Sequence, residues 1–272
     1  MPFWNPLFAS ISLALEIVGI LLAMRAILIA RTPQSAIAWS CGLVVLPIVA
    51  IPLFLIFGES RFAGYTLAGR KGSQKLDEAF HSIIRHLDGY QADFSGDFRE
   101  ASKMANNLSR IPATSGSKID LLIDGNETFQ SIFAAIDAAK ESIWVQFFII
   151  HDDRIGRDLA DRLVAASRRG VECRVMFDQV GSKSLSPSWS ARLRQEGVLV
   201  QSFVTNRQCG RRFQINFRNH RKLVIVDALV AFLGGLNVGD EYLGRSRRFG
   251  PWRDTHIRLE GPCVPGFQLS FL

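Results

Sequence analysis

Asn219-His220-Arg221-Lys222-Leu223-Val224-Ile225-Val226-Asp227 reads as a short apolar strand led by two polar heads. Side chains alternate faces along a strand, so His220 and Lys222, two positions apart, point the same way. A second apolar run, Ala228 to Leu233, follows and ends in Gly234-Gly235-Leu236-Asn237. A histidine and a lysine together at a strand end, with an amide and bare glycine backbone close by, suit a phosphate ester. The imidazole can attack phosphorus, while the ammonium and the amide stabilise charge on the non-bridging oxygens. Taken alone, His-x-Lys equally fits an ordinary surface pair on a core strand. The whole pattern, His-x-Lys-x4-Asp-x6-Gly-Gly-x-Asn, is far harder to obtain by chance.

Around this segment, strand and helix patterns alternate from Lys118 onward. Lys118–Asp124, Ser142–His151, Val171–Asp178 and Val198–Phe203 read as strands, and Glu127–Ser142, Ile155–Arg169 and Pro187–Glu196 as helices. Gly170 and Gly197 stand where helices should stop. The alternation predicts an α/β sandwich around a mixed sheet. Asp152-Asp153 reads as a helix N-cap ahead of Ile155, and Asp178 as a turn or part of a site rim. Arg207, Arg211, Arg212, Arg218, Arg221 and Lys222 form a basic run about the motif. Guanidinium groups suit phosphate because they are planar, always charged and can bind it in bidentate fashion.

The composite pattern resembles the signature of the phospholipase D superfamily. Its flanks, Asn216 to Lys222, Gly239-Asp240-Glu241-Tyr242-Leu243-Gly244 and Trp252-Arg253-Asp254-Thr255-His256, are similar to those of bacterial cardiolipin synthases within it. The similarity extends over nearly the whole chain. It implies a membrane-bound phosphatidyltransferase that converts two phosphatidylglycerol molecules into cardiolipin and glycerol through a phosphohistidine. His220 is then the nucleophile, Lys222 and Asn237 hold the phosphoryl oxygens, and Asp254 takes the position of the acid that orients the imidazole. Arg218, Arg221, Gly234 and Gly235 are candidate contacts to the substrate phosphate. Asp227 completes the motif, with a structural role at the strand end. Ala228 stands where the family usually has glycine, so the turn after Asp227 can differ. No metal and no cofactor is implied, because lysine and amide donors take that place.

The family uses two copies of the motif, one histidine as nucleophile and the other as acid and then base. Only one is present here, and His81, His86, His151 and His256 lack the pattern. Three readings follow: a portion of a bilobal synthase, a single-motif phosphodiesterase that completes its site across a homodimer, or an inactive membrane-anchored remnant. Gln268 to Leu272 reads as a helix that continues after Gly261-Pro262.

The N-terminal third has another character. Thr32 to Gly58 carries no charged residue, and Pro6 to Met24 carries only Glu16. Both reach the roughly 20 apolar residues needed to cross a bilayer. No basic segment precedes the first run, as a cleaved signal would require, so residues 1–60 are expected to form a two-helix transmembrane hairpin. Glu16 should face a neighbouring helix or be protonated. Arg25 and Arg31 lie between the spans and Arg61, Arg70 and Lys71 beyond them, which puts the following domain on the cytoplasmic side. The resemblance agrees, implying a bacterial inner-membrane protein. Residues 61–117 read as a juxtamembrane linker, with Phe80, Ile83, Ile84 and Leu87 at helical spacing, and 118–272 as the catalytic lobe.

Net charge is +7, with 48% hydrophobic and 21% charged residues. Such a balance favours anionic partners. With a membrane hairpin and no pattern of aromatics for base stacking, anionic phospholipid is expected rather than nucleic acid. The four cysteines, Cys41, Cys173, Cys209 and Cys263, include no CxxC pair and indicate neither disulfides nor zinc.

Overall fold

The computed structural model describes residues 6–30, 32–58, 77–78, 80–96, 98–109, 111–203 and 219–271. They divide into a helical N-terminal unit and an α/β unit. Arg207, Arg211, Arg212, Arg218, Asn216 and Phe217 lie outside the described residues, as do Arg31, Arg61, Arg70 and Lys71.

In the first unit, α1 (Pro6–Ile29) is one unbroken helix, and its Phe8–Ile29 segment is long and apolar enough to cross a membrane. The second apolar run differs from expectation. It is split into α2 (Pro33–Val45) and α3 (Pro47–Phe57), with Leu46 out of helical geometry at φ −133° and ψ 59°. Pro47 is the cause: a proline disfavours helical backbone in the residue before it and offers no N–H to continue the ladder. Neither half alone has the length of a span, so among the described residues α1 is the one such helix. Ala23, Ala26, Leu43, Ala50 and Phe54 form the small shared core. Gly19 permits it, since a Cβ there would lie 2.4 Å from the Leu43 carbonyl oxygen. Of the two expectations for Glu16, a neighbouring helix or a protonated carboxyl, the first is not met: it lies on the exposed side of α1.

The second unit opens with α4 (80–87) and α5 (Phe98–Ser109). A mixed sheet follows, of β1 (Lys118–Ile123), β2 (Ser142–Phe147), β3 (Glu172–Asp178), β4 (Leu199–Phe203), β5 (Leu223–Val226), β6 (Val230–Gly234) and β7 (Thr255–Glu260). Their order is β1-β7-β6-β5-β2-β3-β4. β2, β3 and β4 run parallel, and every other pairing is antiparallel. The parallel strands are joined by crossover helices, α7 (Arg154–Arg168) and α8 (Pro187–Gln195), while α6 (Asp124–Ala138) links β1 to β2. The expected α/β sandwich is present.

Alternation along the strands sorts two cores. Ile143, Val145, Phe147, Val175 and Phe232 face Phe129, Ile132, Leu159, Leu163 and Trp189 of the helices. Trp144, Leu223, Ile225 and Ala231 face the other way, towards Val264 and Phe267 of α9 (Val264–Phe271).

Local signals fell where the sequence put them, with small shifts. Asp153 caps α7 by accepting from the Gly156 N–H at 3.1 Å. Gly170 and Gly197 follow α7 and α8 with φ of +89° and +83°, values that favour glycine. α6 starts three residues before its expected position, because Glu127 reaches back to accept from the Ile123 N–H at 2.6 Å. β7 adds a strand that the sequence reading did not place, although Thr255, Ile257 and Leu259 alternate with the polar His256, Arg258 and Glu260.

Candidate active site

Topology explains where the chemistry gathers. β5 is antiparallel to β2, so its start lies beside the ends of β2 and β3. β6 returns its end to the same place, and β7 begins there. One rim of the sheet therefore collects Phe148, Asp178, His220, Lys222, Gly234, Gly235 and Asp254 from five strands.

His220 and Lys222 lead into β5, which begins at Leu223, so the two polar heads expected at the start of the strand stand just before it. His220 is exposed and Lys222 is buried, 7% accessible. The Lys222 Nζ lies 3.1 Å from Nδ1 and 3.3 Å from Nε2 of His220, and donates to the His220 carbonyl at 3.0 Å. Phe148 is the platform for both: its ring centroid is 4.7 Å from that of His220 and 5.5 Å from the Lys222 Nζ. Sequence reasoning missed Phe148, because a phenylalanine closing an apolar strand carries no mark of function.

Charge at the pair follows from this packing. Burial, then the Lys222 ammonium, lower the His220 pKa below the ordinary 6.5, with the Asp178 carboxylate opposing. Burial lowers the Lys222 pKa too, and Asp254 opposes that shift.

Asp178 is both of the things expected of it. Its Oδ1 accepts from the N–H groups of Val180 and Gly181 at 2.9 and 3.0 Å, closing a turn. Its Oδ2 accepts from the Asn219 N–H at 3.2 Å and so fixes the backbone next to His220.

Asp254 stands differently from the expected orienting acid. Among the described residues it has no hydrogen bond to His220. Its carboxylate accepts from the Thr255 N–H at 2.7 Å and the Trp252 indole at 3.5 Å, against Gly235. A Cβ on Gly235 would come within 2.2 Å of Asp254 Oδ1, and one on Gly234 within 2.5 Å of His256 Nδ1. The glycine pair thus makes room for two side chains. The Gly235 N–H, a candidate phosphate donor from sequence, is spent on the Thr255 carbonyl at 3.2 Å.

Asn237 is buried. Its Oδ1 accepts from the Ile149 N–H at 3.1 Å, and its Nδ2 donates to the Tyr242 hydroxyl at 2.9 Å. His256, also buried, has no hydrogen-bond partner at Nδ1 among the described residues. Burial, opposed by Asp254 and aided by Lys222, lowers its pKa to about 4, so it is a neutral ring. Arg221 is exposed on the rim.

Asp227 lies at the opposite end of β5 from His220. Its carboxylate accepts from the N–H groups of Lys140, Glu141 and Ser142 at 2.9, 2.8 and 2.9 Å. Burial raises its pKa, but those three bonds outweigh it and the net shift is downward. Asp227 and Ala228 both have positive φ, +52° and +54°, and the Leu229 N–H donates to the Val226 carbonyl at 3.0 Å. Two left-handed residues in a row mark a primed hairpin turn, where glycine is the natural choice. A cavity of about 380 Å³, lined by Ala134, Ala135, Asp227, Leu229 and Arg258, sits at this end of the strand, away from His220.

Residues 132–247 match the family described as cardiolipin synthase, PLD-like domain. The chain is 41% identical over its full length to Cardiolipin synthase A of Pseudomonas entomophila and 40% identical to that of Pseudomonas putida, covering 57% of each. It therefore spans little more than half the length of these relatives. Among solved structures, it is similar to Nuc of Salmonella typhimurium, a phospholipase D family member (19% identity, TM-score 0.41, 57% of this chain and 91% of the other). It is also similar to the phosphatidylserine synthase of Haemophilus influenzae (14% identity, TM-score 0.48, 62% of this chain and 39% of the other). The sequence matches take in the whole stretch from Phe148 to Asn237, and over its full length the chain is similar to the N-terminal part of the cardiolipin synthases of the phospholipase D-like family.

Proposed function

We propose that this chain carries the nucleophilic half of a phosphatidyltransferase that joins two phosphatidylglycerol molecules into cardiolipin and glycerol. The observation that supports it most is the His220–Lys222 pair on an open rim, 3.1 Å apart, with the imidazole held neutral. A ring nitrogen of His220 attacks the phosphorus of one phosphatidylglycerol. The N–P bond forms, the bond to the headgroup glycerol breaks, and the departing alkoxide takes a proton from an acid. The headgroup hydroxyl of a second phosphatidylglycerol then attacks phosphorus, the N–P bond breaks, and that hydroxyl's proton passes to the same group, now a base.

Lys222 stabilises charge on the non-bridging oxygens, and Asp254 supports the Lys222 charge. Asn237 shapes the floor of the site and retains one amide hydrogen for phosphate. Arg221 and Arg218 draw the anionic headgroup. The acid comes from a second His-x-Lys segment, supplied by a further lobe or by a second copy of the chain. The lobe works at the cytoplasmic face of a bacterial inner membrane, anchored by α1 and the helices after it.

The test is a single-turnover reaction of the reconstituted chain with phosphatidylglycerol labelled in the phosphate, quenched in alkali because a phosphohistidine is acid-labile. Label should stay on the wild-type chain and be absent from His220→Ala. Equal labelling of the variant would sink the assignment.

A further inference from the structure

α5 wears its amphipathicity inside out. At 3.6 residues per turn, Phe98, Ala101, Met104, Ala105 and Leu108 share one face, an arc of about 120°. On a helix packed on a water-soluble domain that stripe turns inward. Here it faces out: Phe98, Met104 and Leu108 are 74%, 65% and 75% exposed. The half-buried positions are polar, Ser102 and Asn106, and Asn106 Oδ1 accepts from the Ala113 N–H at 2.9 Å. Exposed Tyr90 and Phe94 lead into the helix. Twelve residues with an apolar outer face and no buried side chain are poorly explained by the packing of this unit alone.

We infer that α5 lies in the headgroup–acyl boundary of the membrane, with Phe98, Met104 and Leu108 inserted and Ser102 and Asn106 turned back to the domain. Lipid is favoured over a protein partner because the same chain carries a span-length apolar helix, Phe8–Ile29, which keeps the α/β unit close to a bilayer. An interfacial helix needs an apolar face and a polar one but not great length. Apolar insertion rather than charge drives the contact: Arg99 and Lys103 are set against Glu100, which pairs with Lys103 at 3.0 Å. This assignment does not depend on the catalytic chemistry.

The experiment places a benzophenone amino acid at position 104 or, separately, at 103 in the full chain, reconstituted in phosphatidylethanolamine and phosphatidylglycerol vesicles. After irradiation, adducts are identified by mass. Position 104 should give lipid adducts at least fivefold above position 103, with the same yield in low and high salt. The Phe98→Gln/Leu108→Gln double variant, altered only at exposed sites, should lower the yield at 104. Adducts from 104 to a second protein chain would make this face a protein interface and overturn the inference. Equal lipid yields at both positions, or none at 104, would overturn it as well.

Discussion

The Lys222 ammonium lies against both ring nitrogens of His220, at 3.1 and 3.3 Å, and both groups rest against the ring of Phe148. A cation so placed does two things. It lowers the pKa of the ring and, in the proposed reaction, stands where phosphoryl charge would develop.

Lys222→Met separates those effects. Phosphoenzyme formation should fall by on the order of a thousandfold, the loss typical of one oxyanion donor. The His220 pKa, now below 6.5, should rise in the variant. The residual activity needs a neutral ring, so its acid limb should move to higher pH. A pH profile of labelling, with histidine NMR beside it, checks the direction; an unmoved limb would mean that Lys222 does not act on the ring.

Asp254→Asn should act at the other end of the pH scale. The Lys222 pKa is already below 10.5, and the Asp254 charge holds it up. Without that charge the ammonium is lost sooner, so the alkaline limb should shift to lower pH. Gly235→Ala, whose Cβ would press on the Asp254 carboxylate from 2.2 Å, should displace it and shift the limb the same way.

His256 links stability to acidity. The unfolded chain takes up this proton near pH 6.5 and the folded chain only near 4. The contribution is complete above pH 6.5 and is lost as pH falls through that window, roughly 3 kcal/mol in all. Unfolding of the detergent-solubilised chain should show the slope, and His256→Gln should flatten it.

At the hairpin, Ala228→Gly should raise stability by about 1 kcal/mol, because alanine is strained at φ +54°. Asp227→Ala should cost on the order of 3 kcal/mol by orphaning three backbone N–H groups. Denaturant midpoints measure both, and neither change should alter the pH limbs, since this turn is remote from His220.

The placement of His220 beside Lys222 and the sheet that carries them were legible because periodicity and a compact motif report local geometry. What lay between distant segments was not. Asp254 could be named as an acid, but its place beside Gly235 depends on β7 pairing with β6. Asp178 offered two roles, and only its bond to Asn219, 41 residues on, joined them. The broken second span was latent in Pro47, which hydropathy alone passes over.

The rim is stitched from ends of the chain that meet late. The Asp254 N–H donates to Asp124 across 130 residues, and Asp178 accepts from the Asn219 N–H across 41. Closing such loops costs entropy before any contact repays it, and chains dominated by distant pairings fold slowly. The rim therefore arrives last and all together: a half-folded chain can hold its helices while His220, Asp178 and Asp254 are still far apart.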